Sequence, residues 1–86
     1  MEEMIEKLKR VLSAHFADSV LELDPIIPDE KISGSLLWQG FEEAEQLDRQ
    51  RQVSRVLRDE LTPDERRRVS IIFTFTPEEA AVMREG

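Results

Sequence analysis

The 86-residue chain has no cysteine, no tyrosine and no asparagine, and its single histidine is His15. Without cysteine there is no disulfide framework, no zinc–thiolate site and no Cys-ligated iron–sulfur cluster. One histidine with no second imidazole or thiol does not complete a metal site. Glycine is confined to Gly34, Gly40 and Gly86, so no glycine-rich phosphate loop exists. No apolar run is long enough to span a membrane, and no signal-peptide pattern precedes the first helix, which points to a cytoplasmic protein with no membrane partner. The paired acids, Asp29-Glu30 among them, fall in solvated loops and helix starts. No catalytic constellation emerges, so neither an enzyme nor a cofactor is expected.

What is abundant is charge, and it is unevenly placed. The formal net charge is −7, which argues against a general polyanion binder. Residues 1–48 carry four basic and twelve acidic side chains, a balance of −8; residues 49–68 carry seven arginines and four acids, a balance of +3; residues 69–86 add −2. The basic block is the anomaly.

Read in order, the chain forms one domain over residues 1–86. Ile5, Leu8, Leu12 and Phe16 mark an amphipathic helix over 2–16, with His15 at the edge of its last turn. Residues 19–23 suit a short strand. A loop from Asp24 to Lys31 follows, in which Ile26 and Ile27 stand between Pro25 and Pro28. One of them tucks onto the core, or the pair contacts a partner. Ile32, Gly34, Leu36 and Trp38 alternate with Ser33, Ser35, Leu37 and Gln39 in a second strand, antiparallel to the first. Trp38 belongs at the core edge, its indole N–H finding a partner.

The longest helix is expected from about Glu43 to Leu61. Leu47, Val53, Val56, Leu57 and Leu61 fill one arc, and Arg51, Arg55 and Arg58 cluster opposite. Arg49 falls on the apolar arc, where its guanidinium needs a carboxylate or a free backbone carbonyl. Thr62-Pro63-Asp64-Glu65 and Thr76-Pro77-Glu78-Glu79 each read as a capped helix start. Between them Val69, Ile71, Phe73 and Phe75 alternate with Ser70, Ile72, Thr74 and Thr76. This pattern predicts a third strand with its apolar face, Phe73 included, under the helices and Thr74 on the solvent side. The fold class is α+β, in the order α-β-β-α-(short α)-β-α. A strand–helix–strand crossover implies parallel pairing of strands two and three, hence a three-stranded mixed sheet with helices packed on one face.

That order, with Phe41, Leu47-Asp48-Arg49-Gln50-Arg51-Gln52-Val53, Leu57-Arg58-Asp59-Glu60-Leu61 and Phe75-Thr76-Pro77-Glu78-Glu79, resembles the BolA family over residues 36 to 80. The resemblance implies a fold similar to type II KH domains, a link to monothiol glutaredoxins and iron–sulfur cluster trafficking, and proposed DNA binding by some members. Aligned through Thr76-Pro77-Glu78-Glu79, the family's cluster-ligating histidine corresponds to Arg68. The loop from Asp24 to Lys31 supplies only carboxylates and lysine. Arginine stays protonated and does not ligate iron, so no cluster ligation by this chain is expected.

Two functional readings follow. In the first, the chain is a small non-catalytic adaptor or regulatory module, a monomer or weak homodimer, that binds a protein partner through Ile26, Ile27 and Arg68. The resemblance implies a monothiol glutaredoxin as that partner. In the second, Arg51, Arg55 and Arg58, extended by Arg66 and Arg67, contact nucleic acid. Against the second, the Gly-x-x-Gly clamp of KH domains is missing, and Asp48 and Asp59 stand at helical spacing from Arg51 and Arg55, so the stripe also reads as a salt-bridged solvated face.

Overall fold

The computed structural model describes residues 2–26 and 31–85, with side chains over 3–26 and 31–83. The elements are α1 (Glu2–His15), β1 (Val20–Ile26), β2 (Lys31–Leu37), a short 3-10 turn at Gln39–Phe41, α2 (Gln46–Glu60), α3 (Pro63–Arg67), β3 (Val69–Phe75) and α4 (Pro77–Glu85). The sheet runs β1-β2-β3. β1 is antiparallel to β2, and β2 is parallel to β3, as the crossover requires.

α1 and α2 cover one face. Met4, Leu8 and Leu12 of α1, Phe16 just past its end, Ile32 and Leu36 of β2, Phe41, Val53 and Leu61 are all buried there. Phe16, Trp38 and Phe41 meet edge to face or tilted, with ring centroids 5.0 to 5.6 Å apart. The Trp38 indole donates to the Ala17 carbonyl at 2.9 Å, which satisfies a polar tip at the core edge. Gly34 is needed on β2, because a Cβ there would run into the Glu22 carbonyl oxygen and the Leu23 side chain.

β3 differs from the sequence expectation, and the cause is local. Ile32 pairs with Val69, but Ser33 pairs with Ile71, so Ser70 is an extra residue on β3. A one-residue bulge exchanges the two faces of everything beyond it. Val69 packs against the core as expected, yet after the bulge Ile72 and Thr74 point inward and are 4% and 1% exposed. Ile71 and Phe73 point outward, 45% and 50% exposed. The expected burial of Phe73 and exposure of Thr74 are therefore reversed. Leu47 is also corrected: it is exposed, because the first turn of α2 presents Gln46, Arg49 and Gln50 to its neighbours instead. β1 runs three residues beyond Leu23, with Pro25 tolerated on an edge strand, so Ile26 closes a strand and does not sit in a loop. Ile27 lies outside the described residues.

Candidate partner-binding surfaces

Arg68 and Ile26 stand at one end of the sheet. Ile26 pairs with Lys31, and the next residue of β2, Ile32, donates its N–H to the Arg68 carbonyl at 2.6 Å. Arg68 is also the C-cap of α3, its own N–H reaching the Glu65 carbonyl at 3.1 Å. Its backbone is thus tied from two sides while its side chain is exposed and has no ion pair among the described residues. It opens on a shallow cleft of about 570 Å³, with Glu3, Glu6, Arg10 and Asp64 around it. The Lys7 ammonium, 2.8 Å from the Glu65 carboxylate, forms another part of that wall. That ammonium and the Thr62 backbone N–H hold the Glu65 carboxyl below its ordinary range.

The arginine stripe is split. Arg51 stands 3.9 Å from Asp48, and Arg67 is 3.5 Å from Asp64. Arg55, Arg58 and Arg66 have no ion pair among the described residues, so the expected Asp59–Arg55 partnership does not form. Arg58 and Arg66 come together at a groove of about 400 Å³ between α2 and β3, with Gln50, Ser54 and Ser70 on its walls. Among the described residues, no group of three or more His, Cys, Asp or Glu is placed to hold a metal ion. His15 sits on the surface, its Nε2 3.5 Å from Glu60 Oε1.

Two glutamines escaped sequence reasoning. The Trp38 N–H bonds to the Phe75 carbonyl, so in a parallel pair alternate residues of β3 face β2, and Ile72 and Thr74 present their carbonyls at the free edge. Gln50 Nε2 donates to the Ile72 carbonyl at 3.1 Å, and Gln46 Nε2 donates to the Thr74 carbonyl at 3.0 Å. The Thr74 hydroxyl then donates to Gln46 Oε1 at 2.9 Å. The i, i+4 spacing of the two glutamines, one turn before Val53, was the available signal. It says that both face the sheet, but not that they close an edge.

No protein-family model matches the sequence, and no curated protein matches it. Among solved structures, the chain is similar to the crystal structure of a bol-like protein from Babesia bovis, with a TM-score of 0.67 and 18% identity over 92% of this chain and 91% of that one. The chain therefore has the fold of a BolA-like protein.

Proposed function

We propose that the chain is a small non-catalytic interaction module that docks a protein partner through the sheet end carrying Ile26 and Arg68. The observation behind this reading is Arg68 itself: an exposed guanidinium with no ion pair among the described residues, on a backbone fixed by both α3 and β2. A cation mounted this way loses little conformational freedom on binding beyond its own side chain, and it offers a planar fork to a carboxylate. The resemblance to BolA proteins supplies the partner class, a monothiol glutaredoxin, and such docking asks no iron ligand of this chain. The test is affinity capture from the source cell with quantitative mass spectrometry, comparing wild type with Arg68→Glu. A partner retained by wild type and lost from the variant supports the reading, and identical captures refute it. Reconstitution with iron, sulfide and a monothiol glutaredoxin should show no absorption band that shifts on His15→Ala.

A second reading rests on the groove between α2 and β3, where Arg58 and Arg66 have no acidic partner among the described residues. Single-stranded nucleic acid suits such a groove. Fluorescence anisotropy with single-stranded and duplex oligonucleotides at low salt tests it. Binding that weakens in Arg58→Glu and with rising salt supports it, and no binding removes it.

A further inference from the structure

The apolar residues that the Ser70 bulge turns outward have no covering element among the described residues. By register, Val20, Glu22, Asp24 and Ile26 of β1, Lys31, Ser33, Ser35 and Leu37 of β2, and Ile71, Phe73 and Phe75 of β3 share the face opposite α1 and α2. The Phe73 and Phe75 rings stack with centroids 6.2 Å apart. α4 borders one end, where Met83 and Ala80 line a hollow of about 260 Å³ with Leu37 and Phe75. Val82 and Met83 beside Phe75 are 68% and 61% exposed. Among the described residues, Val20, Ile71, Phe73, Val82 and Met83 are five of the six large exposed hydrophobic side chains, and Leu47 is the sixth. Scattered exposed apolar residues are ordinary, but a contiguous set on one sheet face marks an interaction surface.

We propose that this face docks an amphipathic helix whose polar side is basic. This rests on the reading of the chain as an interaction module, and it adds a second surface to the Ile26–Arg68 end. A helix fits because a sheet face is buried by a helix layer, as α1 and α2 do on the other side. From Ile71 to Phe75 the track is about 13 Å long, between two and three helical turns. Charge sets the sign. All the excess basic charge lies in residues 49–68, so the segments outside them sum to −10, from −8 over 1–48 and −2 over 69–86. Asp24 and Glu78 stand exposed at the border of the face, and Lys31 is the only cation the register places on it among the described side chains. A second copy of the chain brings another −7 to the same surface, and the like charges oppose it.

The experiment uses isotope-labelled full-length protein and two synthetic helical peptides, one of leucine and lysine and one of leucine and glutamate in the same pattern. Amide shifts on titration locate the binding, and Phe73→Ser tests the surface, since an exposed residue is replaced without emptying the core. The leucine–lysine peptide should shift amides of Ser35, Ile71, Phe73, Phe75 and Met83. Its affinity should fall roughly tenfold or more in Phe73→Ser, with the spectrum still folded, and weaken with salt. The leucine–glutamate peptide should not bind. Shifts confined to α2 and α3, or equal affinity for Phe73→Ser, overturn the proposal. So do concentration-dependent shifts of the same amides without peptide, with a doubled mass in sedimentation, which assign the face to a second copy. Loss of captured partners in Arg68→Glu, with no peptide binding at the face, leaves the interaction-module reading standing and removes this one. A wild type that captures no partner fails that reading, while peptide binding reports on this face alone.

Discussion

Arg49 carries a charge into a site where it is only 5% exposed. Such burial is tolerable only with partners, and it has them on every side. Its Nε donates to the Ala44 carbonyl at 2.8 Å, its guanidinium meets Glu79 Oε1 at 2.7 Å, and its Cζ lies 5.7 Å from the centroid of the Phe41 ring. Arg51, two residues on, is a solvated neighbour of Asp48. The expectation from helix geometry that Arg49 holds the fold while Arg51 faces outward matches these placements. Arg49→Ala should lower stability by ~1–3 kcal/mol, since it strips packing and leaves acceptors unpaired. Arg51→Ala should stay within ~0.5 kcal/mol, with urea midpoints as the readout. Arg49→Lys should not restore the loss, because an ammonium cannot serve the carbonyl and the carboxylate with one planar fork.

At the scale of elements, two helix starts repeat one device. Thr62 and Thr76 each accept from the backbone N–H of a glutamate three residues on, and each glutamate reaches back to the threonine N–H. Both glutamates are then claimed by a distant cation, Glu65 by Lys7 of α1 and Glu79 by Arg49 of α2. Each box therefore fixes a helix start and ties it to another element. The threonine–proline–acid–glutamate pattern made the boxes legible in sequence, but the tethering cations were not, because they come from 30 and 58 residues away. The Arg49 guanidinium, and then the Thr76 backbone N–H, lower the Glu79 carboxyl below its ordinary range. A group with a depressed folded-state pKa contributes fully above its unfolded value of about 4.3 and loses that contribution as pH falls through the folded one. Glu79→Gln should therefore be less stable than wild type at neutral pH, with the gap narrowing on acidification below about pH 4; melting temperatures from pH 7 to pH 3 measure it. On β2, Gly34→Ala should destabilise the domain by ~1–3 kcal/mol in urea, because the backbone of β1 must give way.

For the whole molecule, element order, mixed pairing and the α1–α2 layer followed from periodicity and from the crossover rule. Which face of β3 they cover did not. Val69, Ile71, Phe73 and Phe75 form an unbroken period-2 pattern, and a periodic reading assumes that each residue advances the strand by one register step. Ser70 takes no such step, and nothing about a serine announces a bulge. The buried side of β3 beyond it consists of Ile72 and of Thr74, whose hydroxyl is satisfied by Gln46, so polarity misled where hydrogen bonding decided. The same step that buries Thr74 leaves Ile71 and Phe73 exposed on the opposite face.

The face assignment of β3 is tested most directly by urea midpoints of Ile72→Ala and Phe73→Ala, measured side by side. Ile72 is 4% exposed within the main core cluster, and its truncation should cost ~2–4 kcal/mol. Phe73 is half exposed on the open face, and its truncation should cost less than ~1 kcal/mol despite removing the larger side chain. Equal losses, or a larger loss for Phe73→Ala, would contradict the bulge at Ser70 and return the apolar residues of β3 to the core.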